Sequence, residues 1–260
     1  MICDLQKASM WKRISAWLFD GILTGILAVL LALGLSLVTG YDGYHQTLEE
    51  SYARYAQEYQ VDFGMSLAEY EALTEAEMQN LQAAYDALNA DAQAVHAQQM
   101  VNQLTLMIVS LAIFLAILIW EFFIPLKLKN GQTLGKKIFG IALMSKDGIR
   151  LSAVALFIRT VLGKYCVETM IPVYILMLLF LGNIGLVGML VLMGIGLLQV
   201  ILLIATNTNS LIHDCLASTV AVDMASQMIF DSKEALIAYK EKLQAEKAAR
   251  QPYCEHKSTI

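Results

Sequence analysis

The chain has 260 residues, of which 57% are hydrophobic and only 16% charged, with a mean hydropathy of +0.56 and a formal net charge of −5. This composition excludes an ordinary soluble domain, which carries more charge and shorter apolar runs. It points to an integral membrane protein, and no nucleic-acid partner is expected of it.

Residues 1–40 read as a cytoplasmic lead and a first transmembrane helix. Lys12 and Arg13 precede an apolar run over 14–38, with Trp11 and Trp17 placed to anchor at headgroup level. The run is too long for the core of a signal peptide, so a retained span is expected. Gly21, Gly25, Ala28, Ala32 and Ser36 form a stripe of small residues that suits close approach of a partner helix.

Residues 41–103 are expected to form an acidic external helical hairpin. The stretch 40–103 holds eleven of the 23 acidic residues but a single basic one, Arg54. Basic loops stay on the cytoplasmic side, so this asymmetry places the insert outside and both termini in the cytoplasm. Leu48, Tyr52, Tyr55 and Tyr59 recur at helical spacing. Met78, Leu81, Tyr85, Leu88, Ala92, Val95 and Gln99 follow as a heptad seam running into the next span. Thr74-x-x-Glu77 is a capping box that would start this second helix. The tyrosines of the insert either fill the seam or form a docking surface.

The second transmembrane helix is read at 104–125. Residues 126–168 are basic and interfacial. Asp147-Gly148 is a turn signal, predicting a small β-hairpin of 138–144 with 149–151, followed by an amphipathic helix over 152–168. The third and fourth spans occupy 169–206, turning near Gly182-Asn183. A His-Asp segment (207–230) and a charged tail helix (231–260) starting after Ser232 complete the chain. Cys3, Cys166, Cys215 and Cys254 all fall on the cytoplasmic side and are expected to be free thiols. The fold predicted is an all-α membrane protein: a four-span transmembrane helical bundle with an external helical hairpin and a small cytoplasmic β-element.

Ionisable residues within or at the edge of a bilayer are costly and mark function or a partner. The candidate network is Arg13, Asp20, Glu121, Arg159, His213 and Asp214, with Glu168 nearby, all expected in one layer near the inner leaflet. Two readings stand. Asp20 and Asp214 exchange a proton or bind a monovalent cation; or they belong to a structural network in which Arg13 pairs with Asp214 and Arg159 with Asp20 or Glu121. His213 is either a proton relay or a hydrogen-bonded residue at a helix end. Lys136 and Lys137 are expected against anionic lipid headgroups. Neither a catalytic motif nor a metal-ligand or cofactor spacing is present, so the protein is not expected to be an enzyme.

These residues carry a family resemblance. Arg13-Ile14-Ser15-Ala16-Trp17-Leu18-Phe19-Asp20 resembles the R-x-x-A-x-x-x-D opening of the RDD family of bacterial membrane proteins. Gly131-Gln132-Thr133-Leu134-Gly135-Lys136 resembles its G-x-T-x-G-K segment, and His213-Asp214 with Thr219 its closing H-D-x-x-x-x-T. The chain differs at Leu134, where the family often has proline, and in its long insert. The resemblance implies the bacterial cytoplasmic membrane as location, Arg13, Asp20 and Asp214 as the residues behind the family's name, and a transport-related role. Transport of a cation or proton through a buried Arg/Asp/Asp layer is the first functional expectation, with a homo-oligomer or a membrane-protein partner. The alternative is a non-transporting scaffold or accessory subunit that docks a partner through its external hairpin.

Overall fold

A computed structural model describes residues 5–128, 130–181 and 185–250. Cys3, Cys254, the end of the tail and the expected turn at Gly182-Asn183 lie outside the described residues. Cys166 and Cys215 are free thiols.

Among the described residues three helices are long and apolar enough to cross a membrane: α1 (Met10–Thr39), α5 (Ala92–Ile117) with its continuation to Lys127, and α10 (Gly185–Ala205). A fourth candidate is a bent pair, either a broken span or a re-entrant loop, in which Ala153–Glu168 and Ile171–Leu178 meet at 44°. The reason is length. Helix α9 (Ile171–Leu181) has 11 residues, ~16 Å of helix against ~30 Å of hydrocarbon. Among the described residues it reaches a spanning length together with α8 (Ala153–Phe157) and the π-helical stretch Ile158–Glu168 that follows it. The helix expected at 152–168 is followed by α9 across a joint at Met170, whose φ is 54°.

The chain divides into two compact units, Gly25–Ala116 and the remainder. In the first, α2 (Tyr41–Tyr59), α3 (Leu67–Glu71) and α4 (Glu75–Ala90) precede α5. Thr74 caps α4 as the capping box requires, with Glu77 reaching back to its backbone. The seam does not run on as one heptad repeat. Asp91 is extended (ψ 106°) and its carboxylate accepts from the Gln93 and Ala94 amides, at 2.9 and 3.3 Å, so it ends α4 and starts α5. One non-helical residue resets the phase. Leu81, Ala84 and Leu88 are buried before it, but Ala94, Ala97 and Val101 after it, in place of Ala92, Val95 and Gln99. Tyr41, Tyr44 and Tyr52 pack on Leu48, Ala97 and Val101. Phe63 lies edge-on between Tyr52 and Tyr85, each at 5.1 Å between ring centroids.

The second unit is organised by a two-stranded sheet. Strand β1 (Ile141–Ser145) pairs antiparallel with β2 (Thr219–Asp223), in a register from Ile141↔Asp223 to Ser145↔Thr219. This corrects the hairpin expected with 149–151. The Asp147-Gly148 turn does form, with the Gly148 amide donating to the Ser145 carbonyl at 2.9 Å. Only the single bridge Met144↔Arg150 follows, because Ser152 already caps α8 and leaves no chain for a strand. Thr219–Asp223 offers five residues instead. Both faces of the sheet are covered. Ile141, Leu143 and Ala221 pack with Ala8 and Ala16 on one side; Ala142, Met144, Val220 and Val222 form the cluster on the other. The small residues Gly21 and Gly25 have nothing within 4 Å of an added Cβ. Helix α12 (Lys233–Arg250) begins beyond Ser232, whose hydroxyl accepts from the Ala235 amide.

Candidate functional site: a charged cavity at the ends of the spans

Asp20 lies in the third turn of α1 and is 3% exposed. Its carboxylate is met by donors and by no cation among the described residues. Trp120 Nε1 donates to Oδ1 at 3.1 Å, the Gly135 amide donates to Oδ1 at 2.8 Å, and the Thr133 hydroxyl donates to Oδ2. Thr133 also caps the short helix α7 (Leu134–Ile138). Asp20 thus ties the start of α1 to the end of the α5 continuation and to the turn before β1. Gly135 is required for this approach. A Cβ there would sit 2.6 Å from the Ala16 carbonyl oxygen and 2.8 Å from the Asp20 carboxylate. Gly135→Ala is expected to cost ~1–3 kcal/mol by overpacking, read as a lower unfolding temperature in detergent; an unchanged temperature would contradict the contact.

Asp214 is fully buried in the short helix α11 (Ile212–Leu216). Two guanidinium groups converge on it. Arg159 places Nε and Nη2 at 3.1 and 3.0 Å from Oδ1, and Arg13 places Nη2 3.5 Å from Oδ2. Thr219 Oγ1 donates to Oδ1 at 3.0 Å. Burial alone would raise the Asp214 carboxyl, but the charges of Arg159 and Arg13 outweigh it and hold the group well below the usual carboxylate range. Arg13 is steered by a second bond, Nη1 donating to the Asn209 carbonyl at 2.6 Å. Asn209 adopts a left-handed φ of 49°, which asparagine tolerates better than most residues.

His213 is wedged beside them. Arg159 Nη2 lies 2.8 Å from His213 Nε2, and His213 Nδ1 lies 2.5 Å from Glu168 Oε1. A guanidinium can only donate, so Nε2 accepts and Nδ1 carries the proton toward Glu168. Burial pushes the imidazole below its ordinary value, Arg159 acts in the same sense, and Asp214 and Glu168 oppose them. A separate triad forms around Glu121, which is 7% exposed. Lys164 Nζ is 2.5 Å from Oε1 and Lys136 Nζ is 3.3 Å from Oε2. Burial pushes the Lys136 ammonium down to about 8 against the pull of Glu121. A cavity of about 590 Å³ is lined by Arg13, Asp20, Glu121, Lys136, Arg159, Lys164, Glu168 and His213 on its polar side.

A model of the RDD family matches residues 7–218. The chain belongs to the RDD family. No curated protein and no solved structure matches it. RDD proteins are membrane proteins, in keeping with the three apolar helices of spanning length.

In this RDD protein the residues anticipated as a network are brought together, but not all in the expected pairs. Arg13 meets Asp214. Arg159 meets Asp214 as well, rather than Asp20 or Glu121, and Asp20 is served by neutral donors. Lys136 departs from the headgroup expectation, since its ammonium turns inward to Glu121; Lys137 is exposed. Sequence reasoning did not assign roles to Lys164, Trp120, Thr133 or Thr219. A tryptophan inside an apolar run was the available signal for Trp120, because a buried indole N–H needs an acceptor.

Proposed function

We propose that this RDD protein is a transport-related membrane protein that takes up and releases a proton at the His213–Glu168 pair within the charged cavity. The observation that carries the reading is the geometry of His213, held between a carboxylate at 2.5 Å and a guanidinium at 2.8 Å. A proton arriving at Nε2 has to displace Arg159, so protonation and the ion network are linked. A bare monovalent cation fits less well. It needs open oxygen ligands, whereas Asp214 is occupied by two guanidiniums and Asp20 by three donors.

The folded imidazole titrates below the ordinary histidine value of 6.5. Between the two values the unfolded chain binds more protons, so stability is expected to fall as pH drops below 6.5. His213→Gln should remove that dependence. In vesicles loaded with a pH-sensitive dye, the purified chain should dissipate an imposed pH gradient, and His213→Gln and Glu168→Gln should abolish the flux while helical content is kept. Wild-type flux no faster than in protein-free vesicles sinks the proposal. The scaffold reading would then be pursued by deleting 44–103 and asking whether a co-purifying protein is released.

A further inference from the structure

The aromatic residues of the insert divide into two groups. Tyr41, Tyr44 and Tyr52 pack on Leu48, Ala97 and Val101 and fill the seam. Tyr70 and Tyr85 do not, and stay 44% and 39% exposed. Together with Phe63 they line a second cavity, of about 310 Å³, beside the segment that joins α2 to α4. Phe63 and Tyr85 stand at 70° to each other with centroids 5.1 Å apart, so they make adjoining walls rather than a stack. Asp62, Met65 and the buried Leu81 complete the surface. The volume lies at the lower end of the ~300–1,000 Å³ usual for ligand pockets, which suits one small headgroup.

Local hydrogen bonds hold these walls in place. Ser66 and Glu69 form a capping box that starts α3, the helix carrying Tyr70. Thr74 and Glu77 do the same for α4, which carries Leu81 and Tyr85. Asp62 Oδ1 accepts from the Gly64 amide at 2.7 Å, which fixes the carboxylate, and among the described residues no cation pairs with it. The lining holds that one carboxylate and no basic group. No Lys or Arg occurs anywhere in 55–126, and Arg54 is engaged by Asp91. Eleven acids in 40–103 give the insert a negative potential that gathers cations.

Aromatic faces attract a cation, and a ring-lined pocket beside a carboxylate is suited to a methylated ammonium. A metal ion or a primary ammonium would need several oxygen acceptors in place of its water. Here Asp62 is the one charged acceptor, and the Ser66 hydroxyl is spent on Glu69. A quaternary ammonium has no N–H to satisfy, and its methyl groups match the rings, Met65 and Leu81. We propose that this cavity of the insert binds the head of a small quaternary ammonium compound, with the charge against Phe63, Tyr70 and Tyr85 and balanced by Asp62. This goes beyond the proton reading and does not depend on it.

The test is isothermal titration calorimetry of the full chain in a maltoside detergent, whose headgroup carries no ammonium. Choline is compared with dimethylbutanol, in which a carbon replaces the charged nitrogen, and with methylguanidinium, which stands in for an arginine of a partner protein. Choline should bind ~10-fold more tightly than the alcohol, the scale of two exposed cation–π contacts, and more tightly than methylguanidinium. Tyr70→Leu, at an exposed position, should weaken choline ~3-fold, the scale of one such contact. Asp62→Asn, which keeps an acceptor for the Gly64 amide, should cost ~3-fold, as for an exposed ion pair. Neither change touches the His213 network, so proton flux in vesicles should be unaltered in both variants. Equal affinity for choline and the alcohol, equal or tighter binding of methylguanidinium, or wild-type choline affinity in both variants would each overturn the proposal.

Discussion

Asp214→Asn should destabilise the protein by about 3–5 kcal/mol, the usual cost of removing one member of a buried ion pair. The side chain keeps its shape, so the effect isolates the charge. Buried Arg159 and partly buried Arg13 would remain beside each other with no anion between them, and two guanidiniums cannot shed their charge by deprotonating. The variant is expected to accumulate poorly and to unfold well below the wild type in detergent. Arg13→Gln combined with Asp214→Asn should recover part of the loss, because one unpaired cation is removed. An Asp214→Asn protein that melts with the wild type would mean that the two arginines find their counter-charge elsewhere.

Gly163→Ala should also destabilise the protein, by a smaller amount. Gly163 lies in the π-helical stretch that carries Arg159, where it crosses α11. A Cβ there would sit 2.6 Å from His213 Cβ and 2.7 Å from His213 Cα. The obstacle is backbone, which cannot rotate away, so the stretch and α11 have to separate. Overpacking of this kind costs ~1–3 kcal/mol and sometimes more. Separation would also lengthen the Arg159–His213 contact, so the pH dependence below 6.5 assigned to His213 should weaken together with stability. Thermal unfolding at two pH values reads both effects. A Gly163→Ala protein of wild-type stability and pH profile would refute the close crossing.

Much of the architecture was legible in the chain because it rests on local signals. The apolar runs over 14–38 and 104–126 mark spans by length alone. The capping box at Thr74 and Glu77 marks the start of α4 by a reciprocal pair of hydrogen bonds three residues apart. The Asp147-Gly148 turn was readable too, but the partner of β1 was not. Strand pairing is decided by which segment offers enough extended residues, and Thr219–Asp223 lies far along the chain. The Asp91 break was hidden because a single extended residue leaves the composition of the seam intact. At the charged cluster, residue types announced that partners were needed without naming them. Asp20 is held partly by the Gly135 backbone amide, which has no sequence signature. The choice of Asp214 for Arg159 depends on the π-helical turn at Ile158–Glu168, whose side chains depart from the 100° step on which face assignments rest.

The sheet and the ion cluster both join the opening of the polypeptide to its closing third. Lys7 bridges to Val222, and Arg13 contacts Asn209 and Asp214. While the ribosome is still producing the protein, Arg13 and Arg159 have therefore emerged without the carboxylate that neutralises them. That carboxylate arrives only after α10 has been made. A truncated product ending before Asp214 would present two uncompensated guanidiniums at the bilayer, a chemical mark by which a half-made copy differs from a finished one.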